Sequence, residues 1–374
     1  MSQGRAQFVT GLALVALLVL LLFGTSLLEN DYYVRIIELI GINMILAVGL
    51  NVSSGFTGVF SLGQIGFMAI GAYTSALLTL PPGLKNPALL PDLPPVIATL
   101  DLSHLPAPVA LLIGGMAGGL LAALVAALVG IPLMRLSGHY VAVATMGFLV
   151  IVNAVLVNLE GVTKGARPLG GIPRYTNVWL VYAVVAIAVY VAWRLLRSPY
   201  GRAMLAQREN LVAAQGMGVD ILRTRLLAFV IGAFFSALAG ALWAHLLTAL
   251  SPTAFYFTYT FQIIIMVIVG GMGSVTGAVI GAFLLTLIPE LLRGVEGGLD
   301  LGFVQLPPLF GLSQIILAVA FVLVMIFRRQ GLMGDRELPL FVPRGSVALA
   351  RGRAAAVSDA VASDVSNPTR SPTG

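Results

Sequence analysis

Cysteine is absent from the 374 residues, and charge is scarce: Asp, Glu, Lys and Arg together make up only 10% of the chain. The first absence removes disulfide scaffolds, redox pairs and thiolate metal sites, though a cysteine-free chain suits either side of a membrane. The second removes a water-soluble domain, whose surface needs about 25% charged residues. It also removes a disordered chain, which combines low hydrophobicity with high net charge. No Gly-x-x-x-x-Gly-Lys-Ser/Thr loop is present, so the chain has no phosphate cradle of that kind. The histidines, His104, His139 and His245, are not spaced with carboxylates as metal ligands would be. An intramembrane enzyme therefore has no catalytic constellation to support it.

What the chain does have is 59% hydrophobic residues and 42 glycines. Outer-membrane barrels alternate apolar and polar positions and so dilute their hydrophobicity; this composition is that of an all-α polytopic membrane protein. At about 20 residues per crossing, the length has room for roughly eight to eleven spans. The net charge of +6 then reads as the arginine surplus of cytoplasmic loops rather than as a nucleic-acid footprint.

Apolar runs occur at about 8–28, 34–52, 58–80, 107–134, 139–159, 178–196, 226–250, 261–292 and 311–327. The first could pass for a signal peptide, but it is longer than the usual apolar stretch and lacks a clear cleavage site. It is read as a retained span within residues 1–30. The proline-rich link 81–108, with Lys85, Asp92, Asp101 and His104, reads as a solvated loop. Arg194, Arg197, Arg202, Arg208, Arg223 and Arg225 cluster between two spans, and Arg328, Arg329 and Arg336 follow the last. The positive-inside rule makes both segments cytoplasmic and, by counting back, the N-terminus as well.

Parity then requires the 261–292 run to begin and end on the outer side. A continuous helix of that length would measure about 48 Å, too long for a core of about 30 Å. Gly270, Gly271 and Gly273, followed by Ser274, offer the break. This gives about ten transmembrane or half-membrane helices with both termini cytoplasmic, a permease-like domain over 34–330, and an Ala-, Ser- and Pro-rich cytoplasmic tail over 331–374 read as disordered.

Ionisable groups at membrane depth are functional candidates. Glu38 and Glu290 lie close enough to span ends to be hydrated interfacial carboxylates, and His245 stands alone among alanines and leucines. Together they make no proton relay. Glycine says more. Gly58, Gly63 and Gly71, interleaved with Ser61 and Gln64, crowd one run; Gly270, Gly271, Gly273 and Gly277 crowd another. Such segments either pack closely against neighbouring helices or break to line a polar path. Two of them in the two halves of a chain suit a transporter.

The loop 198–218 has good helix formers over 203–215 after a Pro-Tyr-Gly turn, with Gly216 as a stop. It is either an interfacial helix lying on lipid headgroups or a handle for a partner. Its residues resemble the cytoplasmic coupling motif of ABC importer permeases, in the Gly-Arg-Ala…Arg-Glu-x-x-x-Ala-Ala-x-x-Gly form of the branched-chain amino acid permeases. Three further stretches are similar to the same family: Gly55-Phe56-Thr57-Gly58 through Ser61-Leu62-Gly63 to Gly71-Ala72-Tyr73; Gly138-His139-Tyr140 through Thr145 to Gly171-Ile172-Pro173; and Gly270-Gly271-Met272-Gly273-Ser274 to Gly277. Gly331-Leu332-Met333-Gly334 also matches the family's closing motif. The resemblance covers roughly residues 35–334. It departs at Lys164 and Ala166 and in the length of the 81–108 link, both on the expected outer side.

The resemblance implies a bacterial inner-membrane permease subunit paired with a second, non-identical permease. Two ATPase subunits would dock beneath it and an extracytoplasmic binding protein above. The chain itself would bind no cofactor, ATP being used by the partners, and transport would run by alternating access. Arg202, Glu209, Ala213, Ala214 and Gly216 become the expected ATPase-docking residues. Other small solutes (a urea- or amide-like compound, or a sugar) and a stand-alone secondary transporter remain the alternatives.

Overall fold

In hydrocarbon only a helix satisfies its own backbone groups, so apolar runs of this length fold as helices. The structure, a computed structural model, describes residues 31–86, 90–100, 102, 104–136, 138–296, 311–328 and 331–334. These fall within one unit, 17–336. The expected first span within 1–30 lies outside the described residues, as does the tail beyond 334. The long helices are α1 (Asp31–Leu50), which runs into a π-helical turn at Asn51–Gly55, and α2 (Gln64–Thr79). After a short α3 (Pro95–Thr99) come α4 (Ala107–Met134) and α5 (Tyr140–Asn158), then a one-turn α6 (Glu160–Thr163) and α7 (Val178–Arg197). Two short helices follow, α8 (Pro199–Glu209) and α9 (Leu211–Gly216), then α10 (Ile221–Leu247), α11 (Phe257–Gly270), α12 (Val275–Glu296) and α13 (Leu312–Phe327). Strands β1 (Leu169–Gly170) and β2 (Ala249–Leu250) pair antiparallel, Leu169 opposite Leu250.

Among the described residues, 7 segments are long and apolar enough to cross a membrane. With 16 residues each, α2 and α13 are shorter than a full crossing. The chain is an all-α polytopic membrane protein. Its innermost elements are α1, α2 and α10: α10 packs along α1, α2 and α4, and α2 also packs against α4. Small residues permit this. A side chain at Gly71 would overlap the Ala237 backbone, and one at Gly118 would stand 2.9 Å from the Gly71 carbonyl oxygen. On the flanks, α5 and α7 expose Val143, Ile151, Trp179, Ile187 and Tyr190, a surface suited to lipid.

The sequence expectations need correction in four places. The 58–80 run is not helical from its start: α2 begins at Gln64, and 56–63 is irregular, with Gly58 at φ +71°. The 261–292 run is two helices, as parity requires, but the first, α11, begins earlier, at Phe257; Gly271 (φ +120°) and Gly273 (φ +98°) make the turn to α12. The expected single helix over 203–215 is two. Pro199-Tyr200-Gly201 form the first turn of α8, because Ser198 Oγ accepts from Gly201 N and proline suits the first helical position. Asn210 ends α8 and starts α9 by accepting from Ala213 N at 3.0 Å. Finally, the 81–108 link is no span and most of its described residues are exposed, as expected of a solvated loop, but part of it packs inward. Leu90, Leu93 and Lys85 are buried, and Lys85 Nζ donates to the carbonyls of Leu78, Ile97 and Leu100 at 3.0, 3.3 and 2.6 Å.

Candidate functional site

Backbone groups freed by a helix break in an apolar interior must find partners. Asn51, at the end of α1, supplies them for the α11–α12 turn. Its Nδ2 donates to the Ser274 carbonyl at 2.9 Å, and its Oδ1 accepts from Gly273 N at 2.8 Å. The two breaks touch directly too: a side chain at Gly55 would lie 2.8 Å from Gly273 N. The closing segment caps α11, since Leu332 N donates to Val269 O (2.8 Å) and Met333 N to Gly270 O (3.1 Å). From α5, Thr145 Oγ1 accepts from Leu62 N at 2.9 Å, and a side chain at Gly63 would meet the Thr145 carbonyl at the same distance. From α8, Arg208 Nη1 donates to Gly55 O at 3.2 Å. Stretches as far apart as residues 51 and 333 therefore converge at the end of the bundle that carries α8 and α9. Asn51→Leu leaves the buried Gly273 N–H without its acceptor, while the Ser274 carbonyl still accepts from Ala278 N; it is expected to destabilise the fold by roughly 1–3 kcal/mol, measured as a lowered thermal midpoint in detergent.

The expected path residues divide. Gly58 and Gly63 lie in the irregular stretch before α2, and Gly271 and Gly273 form the turn after α11. Gly71 sits inside unbroken α2, in close contact with α10. Gly270 and Gly277 press α11 and α12 together at the turn, a side chain at either meeting the other's backbone. Ser61 and Gln64 are buried, and neither the Ser61 hydroxyl nor either Gln64 amide atom has a hydrogen-bond partner among the described residues. A β-carbon at Gly232 of α10 would lie 2.9 Å from Gln64 Nε2, and one at Gly49 of α1 would lie 3.3 Å from Ser236 Oγ. The Ser236 hydroxyl is likewise buried and has no partner among the described residues. A line of polar groups thus runs between α1, α2 and α10.

The expected docking residues are brought together on α8–α9. Arg202, Glu209, Ala213 and Gly216 are exposed and Ala214 is buried. The composition reading missed three apolar side chains on the same surface: Tyr200 (62% exposed), Val212 (76%) and Met217 (85%). Large apolar residues in an arginine-rich loop between two spans were the available signal. It also missed Arg208 as an inward-facing residue.

The opposite end of the bundle is held by polar contacts. Arg174 lies 4.0 Å from Asp31 and 3.8 Å from the buried Glu38 carboxylate, and Tyr32 hydrogen-bonds Glu290. Asn43 donates to Thr286 Oγ1 (2.9 Å) and accepts from the Tyr259 hydroxyl (2.7 Å), tying α1 to α11 and α12. His245 Nδ1 is 2.8 Å from the Pro173 carbonyl, so the proton sits there and Nε2 accepts from Ser75 Oγ at 3.2 Å. With Tyr175 stacked on its ring, His245 is a fastening between α2, α10 and the strand end.

The profile of the family described as branched-chain amino acid transport system / permease component matches residues 32–327. The chain is 33% identical over 356 residues to the high-affinity branched-chain amino acid transport system permease protein LivM of Escherichia coli, covering 86% of this chain and 74% of that one. It is 32% identical over 326 residues to LivM of Salmonella typhimurium, covering 78% and 68%. A more distant similarity, 25% over 300 residues, joins it to the ribose import permease protein RbsC of Haemophilus influenzae (74% and 83%). No solved structure matches the chain.

Proposed function

The chain belongs to the family of branched-chain amino acid transport permease components, and from that premise we propose that it is the membrane subunit of an ATP-driven importer of branched-chain amino acids. A permease component is not itself an enzyme, so the free energy comes from separate ATPase subunits. A binding protein delivers the amino acid from the far side, and a second, non-identical permease completes the pathway. The α8–α9 end faces the cytoplasm of a bacterial cell, because the arginines gather there.

One observation carries this reading. The α8–α9 surface presents exposed Tyr200, Val212 and Met217 beside Arg202 and Glu209, and it lies against the meeting point of the two helix breaks. An apolar centre with a charged rim is the usual make-up of a protein interface. A push on that surface acts on α1, α11 and α12 at the turns where these helices end or begin. The test is reconstitution with ATPase, second-permease and binding-protein subunits. ATP-dependent leucine uptake into vesicles supports the reading, and uptake at the same rate without ATPase subunits overturns it in favour of a stand-alone carrier. Because of the similarity to RbsC, ribose uptake is measured alongside; transport of ribose but not leucine would move the substrate to the sugars.

The same preparation tests the polar line. Gln64→Met keeps the side-chain volume and removes an unpartnered buried amide, so stability is expected to hold within about 1 kcal/mol or to rise. If Gln64 serves the path, uptake falls about tenfold, a cost of about 1.4 kcal/mol. Unchanged uptake makes Gln64 a packing residue.

A further inference from the structure

The helix α8 buries Gly201, Met204 and Gln207 against the bundle, and the partly buried Arg208 reaches the helix breaks. Its Nη1 donates to Gly55 O, the last carbonyl of the π-helical turn that ends α1. Orphan carbonyls and the negative end of the helix dipole favour a cation there. The aliphatic stem crosses Gly58, where a β-carbon would stand 3.1 Å from Arg208 Cγ and 3.4 Å from its Cα. The guanidinium also occupies the space that a side chain at Gly273 would need. One side chain of α8 therefore touches the end of α1, the irregular stretch before α2, and the turn between α11 and α12. Asn51 joins the first and third of these directly.

We propose that Arg208 is a positioning residue that locks α8 to both helix breaks, so that displacement of the α8–α9 surface is transmitted to α1, α11 and α12 as one body. The proposal rests on the function inferred above. Arginine suits the task because its planar group can donate to Gly55 O while filling the space beside Gly273. A lysine ammonium could make the first contact but could not fill the second. Gly58 and Gly273 then serve two ends: their positive φ shapes the breaks, and their missing side chains admit the arginine. Arg202 and Glu209, exposed on the same helix, remain for the partner.

Because the chain contains no cysteine, two can be introduced without background. Ala206→Cys on the exposed side of α8 and Phe60→Cys beside the α1 break would carry spin labels. Pulsed EPR on the chain alone in detergent is expected to give one narrow distance distribution with Arg208 present, a broad one in Arg208→Ala and an intermediate one in Arg208→Lys. In the assembled transporter, Arg208→Ala is expected to keep ATP hydrolysis while leucine transported per ATP falls about tenfold, with partial rescue by lysine. A residue that only supported the fold would lower hydrolysis and transport together. Narrow distances and an unchanged transport-to-hydrolysis ratio in Arg208→Ala overturn the proposal. Should Arg208→Ala not insert, Arg208→Lys carries the same decision. If the wild-type chain neither captures ATPase subunits nor transports with them, the function reading fails. The EPR result on the chain alone still decides the lock.

Discussion

Changing Val212 and Met217 together to glutamate is expected to abolish capture of the ATPase subunits while leaving the permease folded and inserted. The two side chains are 76% and 85% exposed, so little of the bundle's packing is lost. Burying each in an interface contributes about 1.5–3 kcal/mol, hence about 3–6 kcal/mol for the pair. At about 1.4 kcal/mol per tenfold, that weakens association by a factor on the order of a hundred to ten thousand. Two carboxylates in an apolar contact add a desolvation cost on top. The measurement is the amount of tagged ATPase subunit retained by the purified permease, with the thermal midpoint recorded on the same sample. Undiminished capture would show that the partner does not use this surface. If α8–α9 lay instead on lipid headgroups, the same change would alter membrane association and leave ATPase capture intact.

Much of the membrane layout is legible in the sequence because hydrocarbon leaves the chain few options. Apolar runs 107–134, 139–159 and 178–196 became α4, α5 and α7 with no end shifted by more than one residue. The parity argument required a break in the 261–292 run, and the break is there at 271–274. Glycine content could not tell a break from a close approach, since both need an absent side chain. Only φ separates Gly271 and Gly273, with positive values, from Gly71 inside a regular helix. The split at Asn210 was hidden because a strong helical pattern on either side outweighs one capping residue until its side chain is seen accepting from Ala213 N. Arg208 was hidden for a different reason. A charge count places an arginine in a loop, but the reach of Arg208 to the helix breaks depends on glycines at 58 and 273, far away in sequence. The order in Lys85 was equally invisible, because its partners are backbone carbonyls and those carry no sequence signature.

Gly71→Val is expected to cost this protein more stability than any exposed substitution on the loops, and Gly147→Val supplies the comparison. Both glycines lie inside helices, α2 and α5, so the change in backbone propensity is shared and amounts to a few tenths of a kcal/mol in either direction. A β-carbon at 147 meets nothing within 4 Å. At 71 it would overlap the Ala237 carbonyl oxygen, Cα and carbonyl carbon, all backbone atoms of α10. Backbone cannot rotate away as a side-chain tip can, so α2 and α10 must separate. A gap of about 1 Å already forfeits a quarter to a half of the dispersion contact along the seam, where no hydrophobic driving force from lipid compensates. Gly118 of α4 also comes close, its would-be β-carbon 2.9 Å from the Gly71 carbonyl oxygen, so α2 is held against the backbones of two helices at this point. Overpacking costs about 1–3 kcal/mol where side chains can yield; with backbone on both sides the upper end or beyond is expected. The readout is the thermal midpoint in detergent and the yield of monodisperse protein, low for Gly71→Val and near wild type for Gly147→Val. Equal midpoints for the two variants would mean that α2 and α10 do not meet at Gly71. Since α2 carries Gln64 and α10 carries Ser236, that result would also dissolve the polar line drawn between them.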